Sequence, residues 1–356
     1  MNKLRIGFLS TAGIGRKNWK AVYYSGNCVV AAVASREVEK SRKFIADCSK
    51  EAAFEVTPTA LGSYEALLES KEIDAVYLPL PTALRKDWVI RAAKAGKHIL
   101  CEKPCAIRSP DLEEMLTACR KNRVQFLDGV MFMHSARLQK VRETLDDGQS
   151  VGDIKRIASQ FSFYGRDQFF QENIRINAGL EPAGCLGDLG WYNIRFALWV
   201  MNWRLPREVC GRLLAKTEGS VPTDFSAELI FDGGVSASFY CSFVNFRQQW
   251  VHVSGSRGYL EISDFVNPFY GSELAFQVTN IGQDGFKVVP EVRRITVAEH
   301  ANGHATAQEA NMFRNFARQI SSGKLNEEWP MWSSRTQKVL DACLQSAGRN
   351  CSIHLG

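Results

Sequence analysis

Short apolar runs rich in β-branched residues alternate with stretches of helical spacing through the first ~125 residues of the chain. The runs at 5–9, 28–34, 75–78, 98–101 and 125–127 predict strands. Those at 37–48, 64–70, 84–95 and 111–121 predict helices. Ser63 and Ser109 are placed to cap two of these helices, and Gly96 to end a third. Strands that alternate with helices return in the same direction, so this half is predicted to form a doubly wound parallel sheet.

After Gly129 the texture changes to longer alternating runs at 154–164, 208–216, 226–231, 235–243, 248–254 and 259–262, which read as antiparallel strands. Asp232-Gly233-Gly234 between two of them is a hairpin signal, because glycine takes positive φ without a Cβ penalty. Helices are expected at 190–201 and 308–321, and a last one at 333–347. The fold class is therefore α/β with two domains. Residues 1–128 form the parallel nucleotide-type domain and 129–356 an α/β domain with a large, mostly antiparallel sheet. The last helix is free to pack back on the first domain.

The composition is that of an ordinary globular chain, with 356 residues, 45% hydrophobic and 23% charged. The most apolar segment, 29–34, is far short of the ~18 residues a membrane span needs, and the N-terminus has no signal-peptide pattern. A cytoplasmic location is expected. The net charge of +6 is scattered over the chain, which argues against a nucleic-acid partner and leaves a small molecule. Ten cysteines, with no CxxC pair, read as reduced and mainly buried thiols.

Four places carry candidate chemistry. The turn after the first strand reads Ser10-Thr11-Ala12-Gly13-Ile14-Gly15, with small residues at the three positions where backbone amides and a helix start approach a pyrophosphate. At the end of the second strand stand Ser35 and Arg36, not the acid that holds the ribose of NAD. A guanidinium suits a 2′-phosphate, so NADP is the expected cofactor, with Lys40 one helical turn on able to assist. Glu102-Lys103-Pro104 follows a strand and so sits at the carboxyl edge of the sheet, where a lysine can stabilise a developing alkoxide. Asp188 and Tyr192, four apart at the start of an apolar helix, share one face and form an acid/base set with that lysine. Each has a plainer reading, as helix cap and core residue. His300 and His304 lack the glutamate and third ligand of a zinc site, so no metal is expected and His304 is a loop or substrate-pocket histidine.

Taken in order, the first turn, Ser35-Arg36, the run from Tyr77 to Thr82, the run from Ala95 to Pro104 and Gly187-Asp188-Leu189-Gly190-Trp191-Tyr192 resemble the Gfo/Idh/MocA oxidoreductase family. Within it the chain is most similar to the branch of dimeric dihydrodiol dehydrogenase, NADP-dependent D-xylose dehydrogenase and their plant homologues, with support from Met131-Phe132-Met133-His134 and Gln308-Glu309-Ala310. The resemblance implies a Rossmann domain, a second domain whose open sheet forms a homodimer, and hydride transfer at nicotinamide C4 with the reacting carbon between the domains. It implies that Lys103 hydrogen-bonds the reacting oxygen, that Tyr192 is the general acid/base, and that Asp188 orients substrate or tunes that pair. Leu80, Pro81, Glu102 and Lys103 itself join the cofactor residues, and Arg85, His134, Trp191 and His304 the substrate residues.

Two positions depart from the family pattern, which has glycine where Ser10 stands and histidine where Arg85 stands. The activity so implied is an NADP(H)-dependent dehydrogenase or reductase of a secondary alcohol, hemiacetal or carbonyl in a sugar, diol or related small molecule. Ser10 and Arg85 motivate an alternative, a reductase of an enone, iminium or ketone in specialised metabolism. A non-catalytic NADP-binding protein is the third reading.

Overall fold

The computed structural model describes residues 3–269, 271–284 and 287–355. The chain divides into two compact units, Met1–His134 with Asn302–Ser334 and Ser135–Ala301 with Arg335–Gly356. In the first, β1 (Leu4–Leu9), α1 (Gly13–Ser25), β2 (Cys28–Ala34), α2 (Val38–Ser49), β3 (Thr59–Leu61), α3 (Tyr64–Glu69), β4 (Ala75–Leu78), α4 (Thr82–Lys94), β5 (His98–Cys101), α5 (Ser109–Lys121) and β6 (Phe126–Asp128) follow one another. The six strands are parallel in the order β3-β2-β1-β4-β5-β6. Strand order reverses between β1 and β4, which opens a crevice at their carboxyl ends where ligands of such sheets bind. The turn after β1, the segment 79–81 and the segment 102–104 all leave that edge.

Ser63 caps α3 as expected, accepting from the Ala66 amide at 3.2 Å, and Gly96 follows α4 with φ 71°. Ser109 does not cap: Arg108 stands at the N-cap and Ser109 is the first helical residue, ahead of Pro110. Helix spacing does not single out α1, because its buried face carries Asn18 and Ser25 beside Trp19, Ala21 and Val22, so polar residues interrupt the apolar stripe. At three residues, β3 is too short to show a period.

In the second unit α6 (Ala136–Asp146), β7 (Ile154–Tyr164), α7 (Asp167–Glu172), α8 (Trp191–Val200), β8 (Glu208–Lys216), β9 (Pro222–Ile230), β10 (Ser236–Ser242), β11 (Val244–Gly255), β12 (Gly258–Ile262), β13 (Leu274–Asp284) and β14 (Lys287–Val297) follow in turn. The chain then returns through α9 (Gln308–Ser321) and α10 (Glu328–Arg349), and β15 (Ile353–His354) closes the sheet β14-β13-β12-β11-β7-β10-β9-β8-β15. Its pairings are antiparallel except β7 with β10, which is parallel and corrects the expectation for those two strands. The helical crossover and two strands between them permit that direction. The hairpin at Gly233 and Gly234 is present, both with positive φ.

One face of this sheet is buried through Ile157, Phe161, Ala237, Phe239, Val251 and Val253, with α8 packed on β7 and β10. The alternate positions Tyr240, Trp250, His252 and Tyr259 point the other way and are half-buried or exposed. Gly184, at φ 47°, precedes α8 where a Cβ would lie 2.1 Å from the Pro222 carbonyl, so only glycine lets that turn approach β9. No disulfide joins any of the ten cysteines, eight of which are buried. No helix among the described residues is long and apolar enough to cross a membrane.

Candidate active site

At the end of β1, Ser10 is 8% exposed and has φ 144°, a backbone region that favours glycine. Its hydroxyl accepts from the Ala12 amide at 3.2 Å and donates to the Pro79 carbonyl at 3.3 Å. Ala12 caps α1 without a side-chain bond, no acid stands in the first turn, and Gly13 and Ile14 are exposed. Thr11 is half-buried, and Gly15 is buried with its amide on the Ala12 carbonyl at 2.9 Å. A helix start with no side chain on its amides and open space before it suits an anion such as a diphosphate.

At the end of β2 the two predicted residues separate. Ser35 turns inward, donating to the Glu37 carbonyl at 2.5 Å and accepting from the Ser41 hydroxyl at 3.1 Å, so its side chain closes the entry to α2 and is not laid out for cofactor. Arg36 is exposed. Lys40 is exposed and pairs with Glu37 at 2.7 Å. Beside Arg36, burial raises the Tyr64 phenol pKa and the guanidinium partly opposes that.

At β4 and β5 a buried polar network lies under the lysine. Glu102, 9% exposed, accepts from the Tyr77 hydroxyl at 2.6 Å and from the Asn18 amide at 3.3 Å, and Asn18 also donates to the Tyr77 oxygen at 2.6 Å. A Cβ on Gly129 would stand 3.0 Å from the Glu102 carboxylate. Burial first, and then the Glu102 charge and hydrogen bond, raise the Tyr77 phenol well above its ordinary value. Lys103 is half-buried, and its bond to Pro104 is cis. Leu80 is buried and Pro81 half-buried.

Arg85 is 5% exposed and turns onto these loops, donating from Nε to the Leu80 carbonyl at 2.8 Å and from Nη1 to the Thr82 hydroxyl at 3.0 Å and to the Pro104 carbonyl. Nε and Nη1 of Arg85, expected to bind substrate, are thus engaged by its own loops.

In the second unit the helical backbone starts before Asp188, in a π-turn over Leu186–Gly190 that runs directly into α8. Asp188 is therefore not a cap. Its carboxylate accepts from Arg175 Nε at 2.8 Å. The Arg175 pKa is raised, chiefly by the Asp188 charge and in smaller part by Glu181 and then Tyr192, so these four side chains share one electrostatic cluster. Tyr192 is 7% exposed, its ring edge-on to Phe161 at 5.6 Å. Trp191 is fully buried, with Arg195 over its ring at 5.8 Å, so it is a core residue and not the expected substrate contact.

His134 is likewise corrected. Half-buried at the end of the Met131–His134 turn, it meets Asn315 of α9 at 3.2 Å and lies edge-on to Trp329 of α10 at 5.9 Å, which makes it a helix-packing histidine. His304 bonds Thr306 through Nδ1 and lines a 440 Å³ cavity with Gly13, Lys17 and Glu309, where Lys17 and Glu309 pair at 2.6 Å.

The first unit thus gathers Ser10, Leu80, Arg85, Glu102 and Lys103, and the second gathers Asp188 and Tyr192. Sequence reasoning met Tyr77 only as the start of a family-like run and gave it no role, and it passed over Asn18, inside a helix, and Arg175, whose Ile-Arg-Ile setting carries no motif.

Two family signatures match the chain: "Oxidoreductase family, NAD-binding Rossmann fold" over residues 4–130 and "GFO/IDH/MocA C-terminal domain" over residues 138–261. The D-xylose 1-dehydrogenase (NADP(+)) 2 of Haloferax volcanii is 29% identical over 99% of this chain and 100% of its own length. The dTDP-3,4-didehydro-2,6-dideoxy-alpha-D-glucose 3-reductase of Streptomyces violaceoruber is 31% identical over 85% of each chain. Among solved structures, a 3-ketoreductase from Actinomadura kijaniata in complex with NADP and TDP-benzene superposes with a TM-score of 0.84 at 26% identity, covering 97% of this chain and 98% of its own.

The network under Lys103 makes a pH-dependent prediction. Folding raises the Tyr77 pKa above its unfolded value near 10, so the neutral phenol's contribution is fully present below pH 10 and is lost as pH climbs through the folded value. Tyr77→Phe leaves the Glu102 carboxylate one donor short and is expected to lose about 1–3 kcal/mol of unfolding free energy at pH 8. The deficit should shrink above pH 10, as denaturant titrations of both proteins across pH 8–11 would read.

Proposed function

This chain belongs to the Gfo/Idh/MocA oxidoreductase family, and we propose that it is an NADP(H)-dependent oxidoreductase of a hydroxyl or carbonyl carbon in a sugar, diol or related small molecule. The observation that carries the reading is the carboxyl edge of the first unit's sheet. There an acid-free helix start, an exposed Arg36 and the anchored Lys103 segment supply in turn a diphosphate seat, a 2′-phosphate contact and a cation for the reacting oxygen. Full-length similarity to an NADP-dependent sugar dehydrogenase supports the same class.

Bound NADP(H) supplies the hydride donor or acceptor at nicotinamide C4. The chain's own residues handle the oxygen. Lys103 hydrogen-bonds it and stabilises negative charge as the carbinol proton departs; Tyr192 as its phenolate takes that proton in oxidation, and as the phenol returns it in reduction. Asp188 acts through Arg175: the ion pair offsets the carboxylate beside Tyr192, so the phenol is not opposed by an unpaired negative charge. Ser10 and Arg85 bond within their own unit, and so give no support to the enone or iminium reductase reading.

A reducing compartment such as the cytoplasm fits ten cysteines with no disulfide among them. The open face of the large sheet, with Tyr240, Trp250, His252 and Tyr259, supports a homodimer through that face.

In a panel of aldoses, diols and keto-sugars, Lys103→Ala and Tyr192→Phe should each lower kcat about 100-fold or more on whichever substrate is turned over. NADPH affinity by fluorescence titration should hold within about threefold, and wild-type turnover in both variants would end the assignment. Arg36→Ala should weaken NADP⁺ about tenfold or more and leave NAD⁺ unchanged; an equal loss for both would remove the 2′-phosphate contact. Light scattering should give twice the 39.9 kDa of one chain, and Trp250→Glu a single chain.

A further inference from the structure

The two residues that depart from the family pattern turn out to touch the same short segment. Ser10, from the turn after β1, donates to the Pro79 carbonyl at 3.3 Å while accepting from the Ala12 amide at 3.2 Å. Arg85, from α4, donates to the next carbonyl, Leu80, at 2.8 Å, and its Nη1 reaches the Pro104 carbonyl next to Lys103. Thr82 also points its hydroxyl at the Pro104 carbonyl, at 3.5 Å. Ser10 and Arg85 are both almost fully buried.

We propose that Ser10 and Arg85 are coupled positioning residues that join the turn after β1, the 79–81 segment and the Lys103 segment into one rigid piece. The proposal rests on the reading of that turn as the cofactor seat and of Lys103 as the lysine at the reacting oxygen.

The residue types fit this task. At φ 144° a glycine would be easier to accommodate, but it offers no hydroxyl, so serine accepts backbone strain in exchange for two bonds across loops. A planar guanidinium donates in several fixed directions at once, which lets one side chain hold carbonyls of two different loops; an ammonium on a flexible stem does not. Buried bonds of this kind are not weakened by competing water, and a carbonyl that loses its partner there has no water to replace it. Lys103 itself lies between two fixed neighbours. Glu102 is held by its side chain and Pro104 by its carbonyl, so the backbone at 103 is set while its half-buried side chain extends from it.

The test is a double-mutant cycle with Ser10→Ala, Arg85→Lys and the pair, read by hydrogen exchange and by NADPH fluorescence titration. Arg85→Lys keeps the buried cation, which protects against the collapse that Arg85→Met risks. Each single variant is expected to raise exchange about three- to tenfold in the loop it does not touch: Arg85→Lys at residues 10–13, Ser10→Ala at residues 102–106. Arg85→Lys should also weaken NADPH about threefold through the turn after β1. On a substrate that is turned over, both variants should lower kcat more than they raise KM. The double variant should match the larger single effect and not the product of the two, because one shared segment is released only once. Effects confined to each residue's own loop, or multiplying in the double variant, would overturn the coupling. Failure of the wild-type protein to bind NADPH would instead overturn the functional reading, and the exchange cycle would still decide the coupling.

Discussion

A carboxylate buried at the edge of a parallel sheet constrains everything around it, and in this chain that carboxylate is Glu102. Burial removes it from water, and an unpaired charge there would cost several kcal/mol. The neighbours answer that cost one by one. Tyr77 in β4 is an aromatic whose hydroxyl reaches 2.6 Å from the carboxylate, Asn18 in α1 is a polar residue on an otherwise apolar face, and Gly129 has no side chain where one would collide. Two secondary-structure elements and a turn thus carry residues that their own packing would not choose. In return the residue after Glu102 is Lys103, on a backbone whose direction no longer depends on the loop.

The second unit solves the same problem by a different route. Asp188 sits in a helical turn where a carboxylate beside Tyr192 would hold the phenol in its neutral form. Arg175, brought in from an irregular stretch, pairs with it at 2.8 Å and offsets its charge. The π-turn at Leu186–Gly190 changes the angular step between Asp188 and Tyr192 from that of a regular helix, and Gly184 lets the turn lie close to β9. In the first unit the carboxylate is sealed by neutral donors; in the second it is balanced by a cation.

Most of the first unit's sheet was legible because parallel strands are continuous apolar runs, and β2, β4 and β5 lie where those runs predict them. The positions of Lys103 and Arg36 followed from the same register. What periodicity could not show was any partner separated in sequence. Asn18, Tyr77 and Arg175 carry no local signal, since each is defined by a contact from 13 to 84 residues away. Trp191 shows the converse. Its neighbour Tyr192 is a proposed site residue, but a helix sends successive side chains to different faces, so Trp191 enters the core while Tyr192 takes another direction. The parallel pairing of β7 with β10 was hidden for a related reason, because alternation reports which face a residue occupies and not which way its neighbour runs.

The same distinction reassigns the two departures from the family pattern. Read as sequence, a hydroxymethyl for a glycine and a cation for a histidine look like changes in what the site binds. Read in place, both side chains are buried and bonded to the main chain of their own unit, which is the ground for reading them as residues that hold the loops. Substrate preference must then be written elsewhere. The charged side chains that the structure adds to the cluster of the proposed acid/base are Glu181, whose charge acts on Arg175, and Arg175 itself, whose Nε is committed to Asp188 while the side chain remains 43% exposed. A substrate group approaching Tyr192 therefore meets an ion pair whose positive partner is the more open to solvent, since the Asp188 side chain is 14% exposed. Neutral, oxygen-rich molecules that accept hydrogen bonds suit such a surface, which is the chemistry of sugars and diols.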